Sequence, residues 1–167
     1  MTYLTIPLNS SFNRNSFSCG KIALDDYFHK QANQDIKRKL AVCFILPNIN
    51  NTIKGFYTLS NDNIQQELLP EELKRKMPKS YTNLPTTLLG RLAVDLKYKR
   101  QGIGELLLID ALRRCYDVSI ESIGSMAVIV DPLDAEAVSF YKKYGFIELP
   151  DSGRMFLPMK TISELFK

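Results

Sequence analysis

An apolar run, LLGRLAVD (residues 88–95), passes through a basic, glycine-bearing turn, KRQGIG (99–104), into ELLL (105–108), the start of an amphipathic stretch. This strand–turn–helix order constrains the chain more than any other segment. The first N–H groups of a helix have no intrahelical acceptor and carry a partial positive charge. Glycine lets a ligand approach the backbone and tolerates positive φ. Gly102 and Gly104 at a helix start, with Lys99 and Arg100 beside them, suit an anion, and a pyrophosphate is the natural occupant. A tight turn with no ligand is the plainer reading of the same glycines. A dinucleotide fingerprint is incomplete, because Leu107 stands where a third glycine would be needed.

The remaining pattern predicts a sheet covered by helices. Residues 1–10 predict a short first strand, and residues 22–39 a helix, with Leu24, Tyr27, Phe28 and Ala32 at helical spacing. Residues 40–46 and 53–60 predict a strand hairpin across an asparagine-rich turn. Residues 61–87 predict one short helix and a long connection. Further strands are expected at 87–95, 126–130, 146–149 and 154–160, and helices at 102–117 and 135–144. On the 102–117 helix, Leu108, Ala111, Leu112 and Cys115 form the apolar stripe, leaving Glu105, Arg113, Arg114 and Asp117 for water. Strands alternating with helices in the second half indicate an α+β (α/β) class, and 167 residues suit a single domain over 1–167.

Composition removes several functions. Three cysteines without a C-x-x-C pair argue against a disulfide framework and a zinc site, and one histidine, His29, gives His-rich metal sites and a histidine triad little material. The N-terminus has no secretory-signal pattern and no run reaches membrane-span length, so a cytoplasmic location without membrane association is expected. The net charge of +4 suits an anionic ligand or partner without choosing between a phosphate-bearing cofactor and a nucleic acid.

A second constellation is DAEAVSFYKKYGF (134–146), in which Ala137, Val138, Tyr141 and Tyr144 share one helical face and Gly145 suits the helix end. Periodicity alone makes these aromatics core. With Lys99-x-x-Gly102-x-Gly104, however, the pattern Ala137-x-x-Phe140-Tyr141-x-x-x-Gly145-Phe146 resembles the GCN5-related N-acetyltransferase (GNAT) superfamily. Lys99 stands where that family usually has Gln or Arg, and Asp134 where it often has Asn.

The resemblance implies a mixed, mostly antiparallel, twisted sheet of six to seven strands flanked by helices, with a splayed strand pair holding CoA. It implies acetyl-CoA as co-substrate and no metal. Lys99, Arg100, Gln101, Gly102, Ile103 and Gly104 would hold the pyrophosphate, and Leu92, Ala93 and Val94 the pantetheine arm. Asp134, Ala137 and Phe140 would line the cofactor. Tyr141 would act as general acid toward the departing thiolate. Asp62, Asp95 and Glu148 are candidate bases that spacing does not separate from a water relay.

Within the superfamily, Phe17, Cys19 and Gly20, then Leu24, Asp25 and Tyr27, GFYTLS (55–60) and PTTLLGRLAVD (85–95) are similar to the toxin-type branch. That branch acetylates aminoacyl-tRNA and is neutralised by a ribbon-helix-helix antitoxin; homodimers are frequent in it. Arg91, Lys37, Arg38, Lys76 and Lys79 are then candidate tRNA contacts. Two alternatives stand beside this reading. One is an acetyltransferase for a small-molecule amine, a protein N-terminus or a lysine; the other is a non-catalytic CoA-binding or interaction module.

Overall fold

The computed structural model describes residues 2–167, so the first residue of the expected N-terminal strand lies outside the described residues. Among the described residues seven strands form one sheet in the order β1-β2-β3-β4-β5-β7-β6. They are β1 (Ile6–Pro7), β2 (Val42–Pro47), β3 (Ile53–Gln65), β4 (Asn83–Val94), β5 (Ala127–Val130), β6 (Ile147–Glu148) and β7 (Met155–Pro158). The helices are α1 (Ile22–Asp26), α2 (Ala32–Lys37), α3 (Glu71–Lys74), α4 (Ile103–Glu121), α5 (Ala135–Lys143) and α6 (Met159–Glu164). This is the expected α+β architecture with seven strands, and the β1–β2, β2–β3, β5–β7 and β6–β7 pairs are all antiparallel.

Two compact units divide the chain, residues 1–60 with 89–114 and residues 61–88 with 115–167. In the first, Phe28 stacks on Phe56 at 4.1 Å and Phe17 meets both edge-on. Cys19, Tyr27, Ala32, Cys43, Ile45, Ile53 and Ala93 complete that core. The expected helix at 22–39 is three pieces: α1, a π-helical turn Tyr27–Gln31, and α2. The turn widens the helix so that Tyr27, Phe28, Ala32 and Asp35 all point inward.

Arg114 corrects the sequence reading. Its guanidinium lies over the rings of Tyr3 and Phe44 and donates to the Tyr57 hydroxyl (2.9 Å) and the Thr5 carbonyl (2.7 Å), so it does not face water. The reason is Asp110, one turn earlier and buried. Its carboxylate accepts from the Tyr57 hydroxyl at 2.7 Å, the Thr5 hydroxyl at 2.5 Å and the Leu4 N–H at 2.7 Å, and needs a nearby cation. The predicted apolar stripe of Leu108, Ala111, Leu112 and Cys115 is fully buried.

In the second unit β5 is buried at every position and pairs with β7 from Ala127↔Pro158 to Val130↔Met155. Ile64, Leu69, Leu84, Leu149 and Phe156 pack with it. The segment expected to be mostly connection is shorter, because β3 runs on to Gln65 and β4 begins at Asn83. Gln66 then closes the remaining loop by donating to the carbonyls of Pro78 and Tyr81, each at 2.8 Å. The last strand stops at Pro158, after which α6 begins.

Candidate active site

In the first unit, β4 delivers the chain to Asp95, and every following bond shapes the turn. Asp95 N–H reaches the Lys54 carbonyl (2.8 Å), while its buried carboxylate accepts from Lys97 N–H (2.9 Å) and Ser18 N–H (3.2 Å). Leu96 N–H returns to the Ser18 carbonyl at 2.9 Å. Asp25 in turn accepts from Cys19 N–H at 2.8 Å and the Ser18 hydroxyl at 3.0 Å. The short Phe17–Gly20 motif is thus a strut that holds the entrance of the turn, a role its isolated residues gave no means of predicting.

Arg100 has φ +63° and Gly102 φ +76°, and a Cβ placed on Gly102 would meet nothing within 4 Å. The first full helical bond of α4 runs from Leu106 N–H to the Gly102 carbonyl (3.1 Å). The N–H groups of Ile103, Gly104 and Glu105 therefore have no acceptor within the helix. Lys99, Arg100 and Gln101 are exposed beside them, and the Ile103 side chain is buried, so only its backbone is offered. This is the chemistry of an anion cradle. Leu92 and Val94 are half-buried and Ala93 is buried on β4, which lies between β3 and β5 in the sheet.

In the second unit Tyr141 sits on α5, its ring edge-on to Phe140 at 5.3 Å and tilted against Phe146 at 5.2 Å. Asp134 N-caps the helix by accepting from Ala137 N–H at 2.9 Å, which accounts for an aspartate at that position. Phe140 packs between Tyr141 and Tyr144. The Tyr141 hydroxyl makes no hydrogen bond among the described residues and, unlike its ring, is not fully buried, so it is open to solvent or a ligand. Burial raises its pKa well above the ordinary tyrosine range, so it remains a proton donor at neutral pH.

The candidate bases are all engaged. Asp95 holds the turn, Asp62 is paired with Arg154, which also binds Asp131 at 2.8 Å, and Glu148 is paired with Lys142 at 3.6 Å. The cysteines are no better as nucleophiles: burial pushes Cys43 and Cys115 up to about 12. His29 is fixed to the Phe17 carbonyl at 2.7 Å. Among the described residues no cluster could hold a metal ion, and no helix is long and apolar enough to cross a membrane.

Of the basic candidates, Lys37 and Arg38 lie exposed at the end of α2 and Arg91 is half-buried on β4, all in the first unit. Lys76 and Lys79 are exposed in the loop after α3, in the second. Asp35 and Tyr27, joined by a 3.0 Å hydrogen bond beside Arg91, were not singled out as site residues by sequence; Tyr27 appeared as a core position of the predicted helix and in the L-D-x-Y motif.

A family model described as an acetyltransferase (GNAT) domain matches residues 27–161. The chain belongs to the GNAT acetyltransferases. It is 36% identical over 151 residues to a tRNA-acetylating toxin of Mycobacterium tuberculosis, covering 90% of this chain and 88% of that one. Among solved structures, AtaT complexed with acetyl-methionyl-tRNAfMet superposes with TM-score 0.89 at 28% identity, covering 98% of both chains. A tyrosine-to-phenylalanine mutant of KacT superposes with TM-score 0.86 at 30% identity, covering 93% of both. This GNAT chain is an acetyl-CoA-dependent N-acetyltransferase.

Proposed function

We propose that this acetyltransferase moves the acetyl group of acetyl-CoA onto the α-amino group of aminoacyl-tRNA, and that the blocked amine makes it a toxin of translation. One observation carries the chemistry: Tyr141 presents, at the tip of a largely buried ring, a protonated and accessible hydroxyl with no hydrogen bond to the rest of the described chain. The acceptor is supported by the relatives, one of which acetylates tRNA and another of which was solved with an acetylated aminoacyl-tRNA.

The amine nitrogen attacks the thioester carbon, a C–N bond forms, and the carbonyl oxygen becomes an oxyanion. A backbone N–H at residues 92–94 is assigned to that oxygen. As the C–S bond breaks, the thiolate takes the proton of Tyr141, and general-acid help of this kind is worth roughly 10²–10⁴ in rate. The proton lost by the nitrogen leaves through water, since Asp62, Asp95 and Glu148 are each held in other bonds. The diphosphate is assigned to the N–H groups of Ile103 and Gly104 with Lys99, Arg100 and Gln101 around them. Leu92–Val94 hold the pantetheine along a splayed strand, with Asp134, Ala137 and Phe140 as its further neighbours.

Arg91, Lys37, Arg38, Lys76 and Lys79 are assigned to tRNA phosphates. The chain works as a single acetyltransferase domain in the cytoplasm, where charged tRNA is found. An antitoxin and a second copy of the chain are its expected partners; AtaT has been solved with the C-terminus of the antitoxin AtaR and acetyl-CoA.

Growth and labelling test the reading together. Induced wild-type protein should arrest cells and transfer labelled acetyl to bulk charged tRNA, while Tyr141→Phe should do neither. Wild-type expression without arrest removes the toxin role, and label absent from charged tRNA removes the acceptor.

A further inference from the structure

Arg91 raises a problem of positioning. A long guanidinium side chain loses much rotamer freedom when it grips a phosphate, yet this one makes no hydrogen bond or ion pair among the described residues. What fixes it is stacking: its guanidinium carbon lies 3.7 Å from the centre of the Tyr27 ring. Its backbone is pinned as well, because the Arg91 N–H donates to the hydroxyl of buried Thr58 at 3.1 Å.

Tyr27 is held from its other end. Its hydroxyl donates to the carboxylate of Asp35 at 3.0 Å, and Asp35 is only 8% exposed. Burial and the neighbouring carboxylate keep the proton on the hydroxyl, so the bond always runs in that direction. A phenol that donates to a carboxylate gains electron density in its ring, which strengthens the attraction for a cation above it. The π-turn Tyr27–Gln31 makes the pairing geometrically feasible. In an unbroken α-helix, residues eight apart lie about 80° away from one another around the axis. A turn that inserts about one residue brings them to within roughly 20° of the same face.

We propose that Tyr27 and Asp35 are positioning residues that hold the Arg91 guanidinium flat, with its N–H edge left for one phosphate at the single-stranded acceptor end of the charged tRNA. The proposal rests on the aminoacyl-tRNA reading above. A planar fork with its face already covered binds an oxyanion with little further loss of freedom. The π-turn, which costs helix regularity, then has a purpose: it aligns the Asp35 carboxylate with the ring that carries the arginine.

Steady-state acetylation of bulk charged tRNA across a salt series, with acetyl-CoA varied separately, tests this. Tyr27→Phe keeps the ring and removes the bond to Asp35; KM for charged tRNA should rise about three- to tenfold, with kcat and KM for acetyl-CoA unchanged. Arg91→Gln should raise the same KM further and lower the slope of log KM against log salt by about 0.7, the loss of one contact to a single strand. Arg91→Lys should keep the slope and recover only part of the affinity. An unaltered charged-tRNA KM in folded Tyr27→Phe, or an unaltered salt slope in Arg91→Gln, overturns the proposal. A rise in acetyl-CoA KM instead would also overturn it, by placing Arg91 on the cofactor. If Tyr27→Phe folds poorly, Asp35→Asn, which retains an acceptor for the hydroxyl, must give a smaller charged-tRNA defect than Arg91→Gln or the proposal fails. Wild-type protein that acetylates no charged tRNA defeats the underlying reading instead, a separate outcome.

Discussion

Tyr141 separates chemistry from stability at a single atom. Its hydroxyl contributes no hydrogen bond to the fold among the described residues, while the ring packs on Phe140 and Phe146. Tyr141→Phe should therefore lower kcat by roughly 10²–10⁴ and leave the melting temperature within about 1 °C, since the packed ring is unchanged. Calorimetry and turnover on the same preparation decide it; a large stability loss would mean the hydroxyl is structural. The pH profile follows from the direction of the shift. An acid whose pKa is raised stays protonated further into the alkaline range, so no falling limb should appear below about pH 10. The rising limb belongs to the acceptor, because an α-amino group becomes a nucleophile above its pKa of roughly 7.7–8.0. A descending limb between pH 8 and 9 in kcat would refute the assignment. Tyr141 was legible in the sequence as part of a motif, and helical periodicity already placed its ring in the core; that its hydroxyl makes no hydrogen bond was not legible. Arg114 was misread for a related reason: polar spacing on a helix cannot reveal that Asp110, Tyr57 and Thr5 gather beneath it from distant positions in the chain.

Elements divide by whether their cause is local. The β4–turn–α4 passage could be read because glycine, basic residues and a periodic apolar stripe all lie within twenty or so positions. The π-turn could not, since its determinants are the inward demands of Phe28 on one side and Asp35 on the other. The extension of β3 to Gln65 was hidden by polar residues that alternate against solvent, and α6 by the short reach of its periodicity. Gly55 shows how tightly the elements of the first unit are fitted. A Cβ there would lie 2.7 Å from Leu107 Cδ1 and 2.8 Å from the Ala93 carbonyl oxygen. The leucine tip can swing aside, but the carbonyl belongs to β4 and cannot. Gly55→Ala should cost about 1–3 kcal/mol by overpacking, and the second change Leu107→Val should fail to restore it. Because Ala93 is among the residues assigned to the pantetheine, KM for acetyl-CoA should rise as well. Full rescue by Leu107→Val would show that the side chain, and not the strand, sets the limit.

At the scale of the whole molecule, composition argued against a disulfide framework and a cysteine- or histidine-based metal site but left the anionic partner open, because a net charge of +4 is shared among many surface residues. The turn at Gly102 links that open question to a global observable, since a ligand that binds only the folded chain stabilises all of it. Acetyl-CoA at one hundred times its Kd should add about 2.7 kcal/mol. For a domain of this size that is a rise of about 5–11 °C in melting temperature. Gly102→Ala is the informative comparison. Its Cβ would meet nothing in the protein, so the apo enzyme should lose only the roughly 1–2 kcal/mol of a left-handed alanine. If the diphosphate approaches these amides as proposed, the same Cβ would occupy space that it needs. Loss of one charge-assisted N–H contact, about 2 kcal/mol, weakens Kd about thirtyfold. At the wild-type ligand concentration the thermal shift should then fall to about a third of its former size. An undiminished shift in the variant would mean that the helix start does not hold the cofactor, and that the positive φ at Gly102 serves only to turn the chain.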